Sequence, residues 1–575
     1  MPKLPKDFAA LVYVHFGLFA AAFGAAWYVH TQPPKLPLID EWLVLSDWTR
    51  AESTAGWCIA HHHEHRFPLT KAMWMGVLRV TGFRFDAPQY ATFAFHMAAA
   101  ILVLWTARRL RGRTHPIDLA LAVLYLHFGH GLNWLMGYQL GFGLLAYGTA
   151  GWLWTAGRLA CGGGSGWAVL SAVYTLPVLF CGGFGIGFTP AIALWFAFLA
   201  LRVYRSGNSP AALGLLLGGI LAGAYTVWAL ITLPTFLPGG QRPTDEPLVF
   251  VSVVGGYFGT ALGAWPISGG VSPIMPPLVC GLVAAAYAVG TVRLVRRIRR
   301  IREASPTDVA CLLVIFGTLV CAVAAGRARP GAILDRYAIA STGGLVALAL
   351  SFIGPRTAPA AGFRALAVGA VCLAIAGALW RLNAAPGMFE AYRFRDSSHH
   401  LALDIKAGLP PMFLTGKHSG AINTNCGEVL TYYLRNLKRA GIPPFDAMPD
   451  DPPFRAEPIP GLPERAVWIC PESQYFAGRD LPGLALPDPP TGAFGVRLVA
   501  DTKKWYGRSK LILNWIDRTT GQPRAETAYP AYYETEVLLA FKLTGSPERL
   551  RLLLGSPVAV LHLYRFEWLI ADPHQ

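Results

Sequence analysis

Apolar residues run along the first two-thirds of the chain in long unbroken stretches, not in the stripes or alternations of a soluble fold. The stretches are about 8–29, 89–107, 116–133, 138–157, 167–184, 186–204, 211–233, 275–294, 307–325, 331–353 and 363–382. Each approaches the roughly 20 residues that a helix needs to cross a hydrocarbon layer about 30 Å thick. They predict about eleven transmembrane helices in a mainly α, polytopic membrane protein. A further stretch, 248–266, is rich in glycine and runs into Trp265-Pro266. That composition suits a re-entrant or interfacial helix better than a crossing.

The pattern changes after residue 382. Proline, charge and aromatics rise, and no spanning run follows. Ala466–Ile469, Lys510–Trp515 and Val558–Tyr564 read as strands, and 427–440 as a short helix. The expected division is a membrane domain over 1–382 and a β-rich, sandwich-like or α/β domain over 383–575.

Composition agrees. Hydrophobic residues make up 54% of the 575 positions and charged ones 14%, against about 25% charged in soluble domains; mean hydropathy is +0.40. The net charge of +16 would point a soluble protein toward nucleic acid. Here the excess sits in short joints beside apolar runs, as the positive-inside rule requires, so no nucleic-acid partner is expected.

Arginine position sets the topology. Lys3 and Lys6 precede the first span; Arg108, Arg109, Arg111 and Arg113 follow the second; Arg202 and Arg205 follow the sixth. The cluster Arg293–Arg302 follows 275–294. All fall on one side if 248–266 does not cross. The N-terminus is then cytoplasmic, with its first span a signal anchor, and the C-terminal domain lies outside. Residues 30–88, 234–274 and 326–336 also face outward. The nine cysteines form no CxxC pair. Cys426 and Cys470 could form a disulfide in an oxidising compartment, an alternative left open.

Candidate chemistry gathers on that outer face. Asp40-Glu41 follows the first span and could accept a proton or share a metal. The run His61-His62-His63-Glu64-His65-Arg66 follows. On a helix, His61 and His65 would share a face. With His63 they are the ligands if a divalent metal is held, the one cofactor left open. Polar His127, His130, Asn133, Trp134, Tyr138 and Gln139 mark the outer ends of two spans, where such groups face a cavity or the bundle interior. Arg327, Arg329 and the trio Asp335-Arg336-Tyr337 lie on the side where arginine is unexpected; a phosphate ligand would explain them.

The acidic pair after the first span resembles the pattern of GT-C glycosyltransferases, polytopic enzymes that use polyprenyl-phosphate sugars. His63-Glu64-His65-Arg66 resembles the "(N/H)EHR" of a poorly characterised bacterial glycosyltransferase-like family. Asn133–Gln139 resembles its "N-x-(L)-x-G-(F/Y)-Q" stretch, and Asp335-Arg336-Tyr337 its "(S)RY". The resemblance covers about residues 1–380. It implies inverting transfer of a sugar from a polyprenyl-phosphate donor to a cell-envelope glycan or lipid acceptor, on the periplasmic face of a bacterial inner membrane. Asp40 would be the general base, with Glu41 in support. Arg327, Arg329 and Arg336 would hold the donor phosphate. Glu64, His65, Arg66, Asn133 and Gln139 would line the sugar or acceptor pocket. No DxD motif occurs, and no HExxH of a metalloprotease. The competing readings are a transporter or flippase of a lipid-linked substrate and a non-catalytic envelope-assembly component. The polar groups gather at one face and no internal repeat is evident, which favours the enzyme.

Overall fold

A computed structural model describes residues 7–572 apart from 33, 39, 63–64, 233–253, 255–256, 258–259, 263–274, 299–303, 327–337, 354–376, most of 379–397, 419–426, 463–464, 471–483, 502–510, 529–536 and 555–558. The chain forms two compact units. One comprises residues 1–33 and 52–392, the other 34–51 and 393–575.

The first unit is helical. It contains α1 (Phe8–Thr31), then, after the interruption at 34–51, α3 (Thr54–Ile59), a two-strand hairpin of β1 (His61–His62) and β2 (His65–Arg66), and α4 (Pro68–Val80). There follow α5 (Ala87–Arg111), α6 (Asp118–Leu126), α7 (Gly131–Leu135), α8 (Leu140–Ala160), α9 (Ser165–Phe180), α10 (Gly183–Arg205) and α11 (Ser209–Ile231). The last are α12 (Met275–Arg297), α13 (Pro306–Gly326) and α14 (Ala338–Ser351). Among the described residues, five helices are long and apolar enough to cross a membrane: α1, α5, α10, α11 and α13. Their outer faces carry bare apolar side chains, such as Phe16, Phe19 and Phe23 on α1 and Leu217, Ile220 and Leu221 on α11. An apolar surface of that extent calls for lipid, not water. The chain is a membrane protein. Pro177 and Pro190 sit inside α9 and α10, as neighbouring helices in a bilayer allow. Glycines let backbones approach: a Cβ at Gly151 would overlap the Tyr174 ring.

The third expected span is not one helix. α6 covers nine residues and gives way to short helical turns at 128–130, 131–135 and 137–139 before α8 begins. Most of the expected run 363–382 and most of 248–266 lie outside the described residues.

One end of this unit holds Arg111, Arg202 and Arg297. Arg111 Nη1 grips both oxygens of Asp118, at 2.8 and 2.9 Å, in a nearly sealed pair. Asp7 accepts from the Thr114 backbone N–H at 2.8 Å. Arg202 reaches the Leu159 carbonyl, and Arg297 reaches both Asp308 and the Ser351 carbonyl. These contacts join the start of α1, the α5–α6 turn, the ends of α8 and α10, and the α12–α13 turn with the end of α14.

The second unit is a helix-flanked sandwich. Its helices are α2 (Asp40–Arg50), α15 (Pro411–His418) and α16 (Gly427–Arg439). Its strands are β3 (Phe454–Pro458), β4 (Arg465–Cys470), β5 (Leu484–Ala485), β6 (Ala493–Asp501), β7 (Leu511–Asp517), β8 (Pro523–Ala528), β9 (Val537–Lys542), β10 (Pro547–Leu554) and β11 (Ala559–Ala571). One antiparallel sheet runs β5-β10-β7-β8; the other runs β3-β11-β6-β9, with β4 also paired to the long β11. Period-two burial explains the packing: Leu511, Leu513 and Trp515 of β7 and Val496 and Leu498 of β6 enter one core with Leu539, Phe541, Leu563 and Trp568. The three strand segments expected from sequence fall in β4, β7 and β11, and the expected helix is α16. Cys426 lies outside the described residues, and of Cys470 only the backbone is described.

Candidate functional site

The end of the membrane unit opposite the arginines is polar inside. α6 stops at Leu126 because His127 turns to an extended conformation and its Nδ1 accepts from the Gly129 N–H at 3.0 Å. With Nδ1 accepting, the ring carries its proton on Nε2 and donates it to the Ala261 carbonyl at 3.2 Å. His130 Nε2 donates to the Leu124 carbonyl at 2.8 Å, and Trp134 Nε1 donates to His96 Nδ1 at 3.0 Å. His96 is a lone histidine in an apolar span, which sequence reading passes over. Gln89 Nε2 holds the Leu135 carbonyl at 3.1 Å, and Gln139 is buried beside Met136.

Asn133 differs from its neighbours. It is sealed from solvent, and neither its amide nitrogen nor its oxygen has a partner among the described residues. An unmet buried polar group costs about 1–3 kcal/mol. A substrate hydroxyl or ordered water at Asn133 would offset it.

The histidine run is not helical. α3 ends at Ile59 because Ala60 is extended, and the run forms the β1–β2 hairpin in which His61 faces Arg66 and His62 faces His65. On a strand His61 and His62 point to opposite faces, so the shared helix face expected for His61 and His65 does not form. Glu64 and His63 lie outside the described residues, and of His65 only the backbone is described. Among the described residues no cluster of His, Cys, Asp or Glu is arranged to hold a metal. His62 packs edge-on to Tyr138, ring centroids 5.4 Å apart, which links the hairpin to the 127–139 segment. Arg66 stacks 4.1 Å over Trp228 at the end of α11 and donates to Thr232 Oγ1 and the Ile59 carbonyl. Buried Lys71 donates to the Trp57 and Ala60 carbonyls at 3.0 and 2.9 Å. Burial, then the charges of Arg66 and Lys71, lower the pKa of His61 below its ordinary value; a neutral imidazole is the form that accepts a proton.

In the second unit, α2 opens on the acidic pair, where carboxylates favour the positive end of the helix dipole. Glu41 is buried, and its Oε2 accepts from the Leu38 N–H at 2.7 Å, holding the chain at the helix start. Asp40 stays half-exposed. α2 packs on α16: Ser46 Oγ accepts from Asn436 Nδ2 at 3.0 Å, Trp42 meets Phe445, and Arg50 lies 5.2 Å over Tyr432. Burial raises the pKa of the Tyr433 phenol, helped by the charges of Asp47 and Asp40. Elsewhere in this unit, Asp404 on the helical stretch 398–406 binds His418 Nε2 at 2.6 Å. Lys417 bridges Asp404 and Glu526 at 3.0 Å each. Burial pushes Asp404 up, but the His418 bond and the Lys417 charge outweigh it and leave the carboxyl below its usual range. This cluster ties α15 to β8.

Arg327, Arg329, Asp335, Arg336 and Tyr337 lie outside the described residues. No family model matches the chain, and no curated protein matches it. Two solved structures are similar at low level. One is the Archaeoglobus fulgidus oligosaccharyltransferase in the apo form, 14% identical with a TM-score of 0.38, covering 65% of this chain; the chain spans 56% of that protein's length. The other is ArnT from Cupriavidus metallidurans bound to undecaprenyl phosphate, 13% identical with a TM-score of 0.35, covering 77% of each chain.

Proposed function

We propose that this chain is an integral-membrane glycosyltransferase that moves a sugar from a polyprenyl-phosphate donor to a cell-envelope glycan or lipid. In this reading it crosses a bacterial inner membrane eleven times, with a cytoplasmic N-terminus and a periplasmic C-terminal domain. The observation that carries it is the buried polar layer at one end of the helix bundle, where Asn133 is sealed with both amide atoms unmet among the described residues. A scaffold has no use for such a group; a site that binds a hydroxyl-rich substrate does.

The roles follow from chemistry. Asp40, half-exposed at a helix start, accepts the acceptor hydroxyl's proton as the oxygen attacks the anomeric carbon and the lipid phosphate leaves. Glu41 is committed to the backbone and positions α2. Asn133 and Gln139 bind sugar or acceptor hydroxyls, and Arg66, with Glu64 and His65, shapes the rim. Arg327, Arg329 and Arg336 neutralise the charge that grows on the departing phosphate. Asp335 and Tyr337 support them. The test is release of polyprenyl phosphate by the full chain in proteoliposomes supplied with lipid-phosphate sugars. Asp40→Asn, nearly isosteric, is expected to lower kcat by about 10²–10⁴-fold with little change in KM, the scale of a lost general base. Full activity in that variant would remove Asp40 from the chemistry. Movement of intact donor across the bilayer, without transfer, would establish the flippase.

A further inference from the structure

The arginine-rich end of the membrane unit contains a cleft that the transferase reading does not use. Trp105, Arg108 and Arg109 fall at i, i+3 and i+4 on α5, so they share one helix face, and Gly112 follows as its cap. Trp154 and Arg158, at i and i+4 on α8, face them. Together these six residues line an open cleft of about 340 Å³, at the lower end of small-ligand sites. We propose that this cleft binds the phosphodiester headgroup of an anionic glycerophospholipid on the arginine side of the membrane.

The charge is unbalanced. Among the described residues, no acidic residue lines the cleft. Arg108 has Asp7 within electrostatic reach, but that carboxylate is already bonded to the Thr114 N–H. Arg109 and Arg158 make no ion pair among the described residues. The next arginine, Arg111, points the other way, into its pair with Asp118. The run Arg108-Arg109-Leu110-Arg111 therefore splits into one structural guanidinium and two that are open to a ligand.

The walls are aromatic and already built. Trp105 and Trp154 are 6.3 Å apart, and Trp154 meets Trp167 of α9 edge-on at 5.1 Å. Arg158 is held 4.6 Å over Trp167, which fixes its fork. The positive-inside rule accounts for arginine on this side. It does not require three of them from two helices to converge between tryptophans. Trp105 is 53% exposed on a helix whose neighbouring face is apolar, the placement of an interfacial tryptophan beside acyl chains. Soluble phosphate would use the guanidinium forks alone; a phospholipid uses the forks and the Trp105 face together.

The experiment uses the full chain, delipidated in neutral detergent and then offered phosphatidylglycerol or phosphatidylcholine, with bound lipid read by native mass spectrometry. Phosphatidylglycerol is expected to remain bound where phosphatidylcholine is lost. Each cleft arginine near a membrane surface supports binding by roughly fivefold, so Arg109→Gln with Arg158→Gln should weaken retention roughly 25-fold. Arg205→Gln, at the same end but outside the cleft, should leave retention unchanged. Trp105→Ala should weaken it without altering the charge. Thermal unfolding of each variant checks the fold; should the double variant not fold, Arg109→Gln alone gives a fivefold readout. Equal retention of both lipids, equal loss in Arg205→Gln, or full displacement by millimolar inorganic phosphate would overturn the proposal. None of these readouts involves turnover, so they stand or fall apart from the transferase reading.

Discussion

At the scale of the residue, the unmet amide of Asn133 sets stability against function. Its neighbours His127, His130 and Trp134 each place a ring N–H on a carbonyl or a partner ring, although His130 Nδ1 is left unmet; Asn133 alone of the four has no hydrogen bond at all among the described residues. Asn133→Leu keeps the branched shape and removes two polar atoms unmet among the described residues, which offsets the strain of its larger methyl groups, so the melting temperature should stay near that of the unaltered protein. Transfer activity should fall about tenfold or more, because a substrate hydroxyl loses its partner. A lower Tm with activity intact would mean that the amide serves the fold. The sequence exposed this segment through residue type alone: histidines, an asparagine and a glutamine between apolar runs have few reasons to be there. It could not separate the satisfied from the unsatisfied, since that depends on which carbonyl each ring meets. His96 stayed hidden for the same reason.

At the scale of the element, the α5–α6 turn depends on one buried pair. Gly112 ends α5 with φ +77°, and its N–H returns to the Arg108 carbonyl. The chain then reverses, and Asp118 at the start of α6 takes both Arg111 and the His115 N–H. Arg111→Met strands a sealed carboxylate, which should destabilise the protein by about 3–5 kcal/mol. Arg109→Met, two residues earlier on the cleft face, should leave the melting temperature unchanged. The pair of detergent melts decides whether arginine here acts by position or merely by charge. Helices were legible because an uninterrupted apolar run has one stable form in lipid, and β7 because its alternation is strict. Two elements were not. The histidine run became a hairpin through the extended turn at Ala60. α2 packs with α16, and the Asn436–Ser46 bond spans 390 residues; no local pattern announces a contact of that range.

At the scale of the whole molecule, the arginines and the polar layer argue for one orientation. At the arginine end Asp7, before α1, bonds Thr114 of the α5–α6 turn, Arg202 of α10 bonds Leu159 of α8, and Arg297 of α12 bonds Ser351 of α14. Those at the other end join Tyr28 of α1 to Phe128 and Trp134, and Arg66 to Trp228. Arginine beside a span resists translocation, so the first end should lie in the cytoplasm and the second outside. In that orientation the proposed transfer would take place on the side of Asn133. Alkaline phosphatase folds only in an oxidising compartment. Fused after Gln575 it should therefore be active, and fused after Gly207, just past Arg202 and Arg205, it should be silent. Green fluorescent protein at the same two points should report the reverse. Active phosphatase at Gly207 would put the arginines outside, and with them would go the reason for treating the polar layer as an envelope-facing site.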